Sequence, residues 1–286
     1  MYEAREARAV ARILIEELFA MSYADILCGG VEKLSAESLT SLEGALSRLV
    51  MGEPLQYVLG YAHFARLRFD VAPSVLIPRP ETEWLVNRAE AIAGQSGEPS
   101  SDGTHALRLL DIGTGSGCIA VSLKSRLPWA SVEAWDISAD ALRIARANAA
   151  RLGADVTFRQ CDALNIDIAE YETEHSEGAL QLWNIIVSNP PYVCLAERAS
   201  MDDNVLCHEP HTALFVPDDD PLLFYKAIGR YAIATLRHDG VLLFECNTRY
   251  AKATADMLLA LGFDTAEVAD DCFGLPRFVE ARKCRL

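Results

Sequence analysis

From Ala4 to Met21 the apolar residues Val10, Ile13, Leu14 and Leu18 recur at three- and four-residue intervals, and Leu39, Leu42, Leu46, Leu49 and Val50 repeat the pattern. Such spacing lays an apolar stripe along one side of a helix. Gly29-Gly30 breaks the chain between the two runs. Each stripe needs a partner to cover it, so residues 1–52 are expected to form a small helical bundle, or else a helical cap on the main domain. Past Glu53-Pro54 the period drops to two: Leu67, Phe69 and Val71 alternate with Arg66, Arg68 and Asp70, between Gly60 and Pro73. That alternation predicts a half-buried strand, and residues 53–77 read as a β-hairpin linking two domains. A helix is expected to open at Ile77-Pro78-Arg79-Pro80-Glu81-Thr82-Glu83 and run on through Trp84, Leu85 and Val86. Prolines and acids suit the start of a helix, where N–H groups lack partners and the dipole is positive. Residues 94–105, rich in Gly, Ser and acids, read as an exposed flexible loop.

From Leu107 onward short apolar runs alternate with helical stretches. LRLLDI leads to a helix through Ile119, Val121 and Leu123, and VEAWDI to one over 139–152; VTFRQC, IIVSN, VLLFE, FDTAEVA and RFVEAR follow. Apolar runs interleaved with helices predict an α/β domain with a mostly parallel, Rossmann-like, seven-stranded sheet over residues 78–286.

Composition narrows the function classes. A chain of 286 residues, 51% hydrophobic, has material for one large core and a smaller accessory domain. Its formal net charge of -15 argues against a protein that neutralises many phosphates, so no direct nucleic-acid partner is expected. Neither a targeting segment nor a membrane-spanning run is apparent, and a cytoplasmic location is expected. The eight cysteines form no C-x-x-C pair, which fits reduced thiols better than disulfides or a metal site. Cys207-His208-Glu209-Pro210-His211 is the densest metal-like cluster, but it lacks a second ligand pair and reads as a loop. No metal is expected.

Chemistry concentrates at two strand ends. Asp111-Ile112-Gly113-Thr114-Gly115-Ser116-Gly117 falls where a strand passes into a helix, the usual ligand position in an open α/β sheet. Its G-x-G-x-G spacing departs from the G-x-G-x-x-G of dinucleotide sites and resembles the first motif of class I methyltransferases. S-adenosyl-L-methionine, the cofactor this implies, is cationic and carries no phosphate, and Asp111 before the glycines suits it. Asp136 follows Gly115 by about 21 residues, the distance at which such sites place a carboxylate on ribose hydroxyls. Asp162, at the next strand end, either accepts from the adenine amino group or caps a loop; both readings stay open. Ser188-Asn189-Pro190-Pro191-Tyr192 follows the run Ile185-Ile186-Val187, which sets it beside the glycine loop. Two prolines fix φ, remove two backbone donors and hold Asn189 extended. The Asn189 side-chain oxygen and the Pro190 carbonyl are therefore expected to hold a planar NH2, with Tyr192 as an aromatic wall.

Glu53-Pro54-Leu55-Gln56-Tyr57 with Gly60, the segment from Ile77 to Glu83, Asn189-Pro190-Pro191-Tyr192, and Glu209-Pro210 with Ala213-Leu214 together resemble the bacterial release factor glutamine methyltransferases of the PrmC/HemK family. The resemblance spans nearly the whole chain. It implies an N-terminal domain that docks peptide chain release factors, a class I methyltransferase domain, and N5-methylation of the glutamine in their Gly-Gly-Gln loop. By position it assigns Gly113, Thr114, Gly115, Ser116, Gly117, Asp136, Asp162 and Ala163 to the cofactor. Asn189, Pro190, Pro191 and Tyr192 fall to the glutamine amide, with Asn189 also near the methionine part of the cofactor. The chain departs from the family at Ala163, where an aromatic residue is common, and at Glu245-Cys246-Asn247, where a glycine is commoner. The rival expectation is an adenine N6-methyltransferase of nucleic acid, which would use the same tetrapeptide on a flipped base.

Overall fold

The computed structural model describes residues 4–95, 107–166 and 182–284. The two N-terminal stripes form α1 (Ala4–Phe19) and α3 (Ala36–Val50), with the short α2 (Tyr23–Leu27) between them. Ser22 and Ser35 start α2 and α3 by accepting the backbone N–H groups of Asp25 and Ser38, which the first helical turn leaves unpaired. Leu14, Leu42 and Leu49 are buried together, and Val58 completes the cluster. Val58 belongs to a fourth helix, α4 (Leu55–Leu59), which lies inside the stretch read as hairpin linker. The helical unit thus runs on through Leu59, because Leu55, Val58 and Leu59 supply a third apolar stripe; Gly60, at φ 82°, ends it.

The hairpin follows as β1 (Tyr61–Phe64) and β2 (Leu67–Asp70). Its turn residues Ala65 and Arg66 take positive φ, a strained choice for residues with a Cβ. The Ala65 N–H is anchored to Glu83 at 2.9 Å, on the helix α5 (Glu83–Gln95) that follows. Asn148 ties the far end of the hairpin to the main domain, bonding both backbone groups of Asp70 and the carbonyl of Ser116 in the glycine loop.

The main sheet contains β3 (Arg108–Ile112), β4 (Ser131–Asp136), β5 (Val156–Gln160), β6 (Trp183–Ser188), β9 (Leu236–Glu245), β10 (Thr265–Asp270) and β11 (Pro276–Lys283), in the order β10-β11-β9-β6-β3-β4-β5. β11 is antiparallel to both its neighbours, and the pairings from β9 to β5 are parallel. A two-residue parallel pair, β7 (Val193–Cys194) with β8 (Phe215–Val216), stands apart. Alternate residues feed opposite faces. Leu109, Ile185 and Val187 pack with α5 and α6 (Cys118–Arg126), while Leu110, Ile112 and Ile186 pack on the other side. Each such buried aliphatic side chain contributes roughly 1.5–3 kcal/mol over an exposed one.

That second face is covered by α10 (Leu223–Thr235) and α11 (Ala251–Leu261), with Tyr225, Ile228, Tyr231 and Leu258 buried. α7 (Ala139–Leu152) fills the position expected of it. The Cys207–His211 stretch is not a loop: it joins α8 (Asp203–His208) to α9 (His211–Leu214), with Glu209 held extended before Pro210. Of residues 94–105, the first two close α5 and the remainder lie outside the described residues.

Candidate active site

Strands β3 and β6 are paired in parallel with Ile112 opposite Ser188, so the glycine loop and the Asn-Pro-Pro-Tyr segment leave the sheet side by side at one level. The Ser188 hydroxyl donates to the Ile112 carbonyl at 2.6 Å and fastens the two exits together. Above them lies a cleft of about 400 Å³. Gly113, Thr114, Gly115, Ser116, Asp136, Asp162, Ala163, Asn189, Pro190 and Pro191 all line it. Tyr192 does not. It faces a neighbouring cavity of about 300 Å³ that shares Asn189 and Arg79 with the cleft.

Gly113, Gly115 and Gly117 sit at φ 78°, 56° and 82°, where L-residues with a Cβ are strained. At Gly117 a Cβ would also meet that of Ala145 on α7 at 3.1 Å, so this glycine lets α6 and α7 approach. The loop's N–H groups are mostly spoken for. Those of Gly113 and Thr114 go to the Trp135 carbonyl, that of Gly117 to the Thr114 carbonyl, and that of Gly115 to Asp136 at 2.8 Å. The loop is thus a poor anion hole and suits a ligand without phosphate. Asp136 takes the Ser138 N–H on its other oxygen, and burial pushes its carboxyl up. Each oxygen keeps a lone pair for a hydroxyl donor. Ile137 beside it is 58% exposed, apolar, and part of the cleft lining.

Asp111 does not reach the cleft. It is fully buried beneath the loop, accepting from the Thr114 hydroxyl at 2.6 Å and from the Ala120 N–H at 3.3 Å, while its second oxygen has no partner. Burial pushes its carboxyl up to about 7. Its part is to hold the loop from below. Asp162 closes a turn on the Leu164 N–H and the Asn165 amide, yet still borders the cleft, so its two readings are compatible.

Asn189 is oriented from outside the tetrapeptide. Its amide nitrogen donates to the Thr82 hydroxyl at 3.2 Å, the Thr82 hydroxyl donates to Glu245 at 2.7 Å, and the Tyr192 hydroxyl reaches the other Glu245 oxygen at 3.1 Å. The Asn189 side-chain oxygen is buried and unpartnered. Glu245 is itself buried, which pushes its carboxyl up against the hydrogen bonds of Thr82 and Tyr192 and the Arg277 charge. Asn247 donates to the Tyr192 carbonyl at 3.2 Å and to Glu197 at 2.9 Å. The departure at Glu245-Cys246-Asn247 therefore anchors the tetrapeptide. Arg79 borders both cavities and pairs at 2.5 Å with Glu209, which also accepts the Ile77 N–H, so the segment bearing Thr82 is clamped across the chain.

Sequence reasoning missed Thr82, Glu209 and Glu245 as parts of the site. For Glu245 a signal existed: like Asp136, it is an acid closing an apolar strand.

A seven-stranded Rossmann-like sheet with a glycine loop and Asn-Pro-Pro-Tyr at adjoining strand ends defines a methyltransferase, and comparison with known proteins agrees. Residues 100–208 match the family described as methyltransferase small domain, and residues 2–60 the PrmC N-terminal domain. The fold resembles that of a methyltransferase from Pyrococcus furiosus (TM-score 0.53, 14% identity, 85% of this chain and 99% of that one). Similarity in sequence runs further. The release factor glutamine methyltransferase of Bacteroides thetaiotaomicron is 41% identical over 99% of this chain and 95% of its own length. That of Flavobacterium psychrophilum is 38% identical over 98% and 93%. The chain belongs to the release factor glutamine methyltransferase family.

Proposed function

We propose that this enzyme transfers a methyl group from S-adenosyl-L-methionine to the side-chain amide nitrogen (N5) of the glutamine in the Gly-Gly-Gln loop of peptide chain release factors, a cytoplasmic reaction that tunes translation termination. The observation that carries the reading is the buried, unpartnered Asn189 oxygen beside the glycine loop. A buried acceptor without a partner costs about 1–3 kcal/mol, a cost that a substrate N–H removes on binding.

The cofactor, when bound, supplies an electrophilic methyl carbon on a sulfonium. Asp136 would receive the ribose hydroxyls, and Asp162 and Ala163, with the apolar Ile137 and Leu164, would flank the adenine; all five line the cleft. Gly113 and Gly115, left-handed and on the cleft wall, would let the methionine part lie close to backbone, whereas Gly117 does not line the cleft and serves the packing of α6 on α7. An amide nitrogen is a poor nucleophile because its lone pair is delocalised, so orientation carries much of the rate. The Asn189 oxygen and the Pro190 carbonyl accept the two N–H bonds of the glutamine amide, turn its lone pair toward the methyl group and stabilise the positive charge that develops on nitrogen. The methylated nitrogen then sheds one proton to solvent, and no side-chain base is needed. Pro191 keeps the segment rigid, and Tyr192 lines the adjoining cavity that shares Asn189 and Arg79 with the cleft, the route we assign to the glutamine side chain.

Apolar side chains left exposed on the helical bundle, Tyr23, Leu27, Val50 and Met51 among them, support its assignment as the release-factor dock. Labelled S-adenosylmethionine offered together with release factor, duplex DNA and RNA tests the proposal: label is expected in the release factor alone. Comparable label in adenine of either nucleic acid would overturn it in favour of the N6-methyltransferase reading.

A further inference from the structure

We infer that Thr82 and Glu245 are positioning residues that set the polarity of the Asn189 amide, and hence the kind of group the site accepts. The inference rests on the proposed amide methylation for its kinetic consequence, but its structural content stands on hydrogen-bond accounting.

The Arg277 charge and the two hydroxyls that face Glu245 favour its ionised form against burial, and as a carboxylate it has only acceptors. Both hydroxyls that touch Glu245 must therefore donate to it: Tyr192 at 3.1 Å and Thr82 at 2.7 Å. Thr82 has one hydroxyl proton, and that contact uses it. Toward Asn189, 3.2 Å away, Thr82 offers only lone pairs, so the atom of Asn189 that faces it must be the NH2. The Asn189 oxygen is left as the atom turned away from Thr82, buried and without a partner. The order Glu245 acceptor, Thr82 donor-acceptor, Asn189 donor thus leaves a free acceptor on a residue that lines the cleft. Such an acceptor welcomes N–H donors and repels carbonyl oxygens.

The elements concerned lie far apart in sequence. Thr82 precedes α5, Asn189 follows β6 and Glu245 ends β9. Thr82 and Glu245 are 3% and 1% exposed, so water does not compete for the relay. Without Thr82, nothing distinguishes the two ends of the Asn189 amide. A flipped amide would present its NH2 to the substrate NH2, donor against donor.

The test compares Thr82→Val, which keeps the shape and removes the hydroxyl, with Thr82→Ser, which keeps the hydroxyl. Methyl transfer to a release factor should fall by about tenfold in kcat for the valine variant, the loss expected for one hydrogen bond's worth of orientation, with KM for the cofactor little changed. The serine variant should recover most of that loss. In an Asn189→Ala background the Thr82→Val change should cost nothing further, because the relay acts only through Asn189. Equal activity of valine and serine variants, or an undiminished cost in the alanine background, would overturn the relay.

A second measurement needs no substrate. With 15N in asparagine side chains, the Asn189 NH2 signals should shift and broaden in Thr82→Val and stay near their wild-type positions in Thr82→Ser. Signals indifferent to the valine change would refute the relay. If the wild-type enzyme methylates no glutamine, the functional reading fails and these spectra still decide the polarity.

Discussion

Replacing Asn189 by alanine separates orientation of the substrate from every other duty of the site. The substitution removes the unpartnered buried oxygen and the amide bond to Thr82. In the free enzyme these changes oppose one another. Loss of the orphaned acceptor relieves about 1–3 kcal/mol, whereas loss of the hydrogen bond and of side-chain packing costs about 1–2 kcal/mol. Thr82 keeps its bond to Glu245, so the framework stays in place. Stability is therefore expected within about 1 kcal/mol of wild type, a change in Tm of no more than about 4 °C for a chain of this size. Cofactor affinity should move by less than about threefold, since Asp136 and the glycine loop are untouched. In the transition state, by contrast, the variant lacks a preorganised acceptor aimed at developing charge. Groups in that role are worth about 10²–10³ in kcat. The assay is transfer of labelled methyl to release factor at saturating cofactor, with calorimetric cofactor binding and thermal melting run on the same preparation. A kcat within tenfold of wild type would refute the role of Asn189, as would a loss matched by equal loss of cofactor binding or of fold.

Asp136→Ala should act on the other half of the site. It removes the charged acceptor for ribose and leaves the Gly115 and Ser138 N–H groups without theirs, so the Kd for S-adenosylmethionine should rise about 10–100-fold, and an unchanged Kd would exclude the ribose contact. Asp111 should leave a signature in stability against pH. Its carboxyl is raised by burial to about 7, so between about pH 4 and 7 the folded state holds a proton that the unfolded chain has released. Stability from this group is present at low pH and lost as pH rises through that window, by up to about 4 kcal/mol, and is flat above it. The Asp111→Asn protein should lack that slope; parallel wild-type and variant profiles from denaturant melts would contradict the assignment.

The legibility of the molecule in its sequence follows from the kind of signal each part emits. The central strands were readable because Leu109 and Leu110, or Ile185 and Ile186, are buried on opposite faces, which forces a continuous apolar run. α10 does not stand out in the sequence because only Lys226 and Arg230 in it are charged, so Leu223, Ala227 and Ile233 on its less buried side are apolar too and blur the helical period. α4 reads as linker in the sequence because five residues are too few to display a helical repeat; only the bundle's other stripes require Val58. In the site, Asp136 and Asn189 could be picked out because short motifs mark strand ends. Thr82 and Glu245 could not be assigned a task, since a relay joining residues 163 positions apart exists only once the chain has folded. Tyr192 shows the converse. The motif marks it as part of the site, but the Glu245 carboxylate draws its hydroxyl away from the main cleft.

In the proposed reaction the nitrogen that is methylated is a glutamine side-chain amide, held by Asn189. Release factor incubated with the enzyme and deuteromethyl-labelled S-adenosylmethionine, then digested and fragmented in a mass spectrometer, places the label directly. A single trideuteromethyl group is expected on the glutamine of the Gly-Gly-Gln loop, released as deuterated methylamine on acid hydrolysis. A label on any other residue, or one that acid hydrolysis does not release as methylamine, would contradict the proposed reaction.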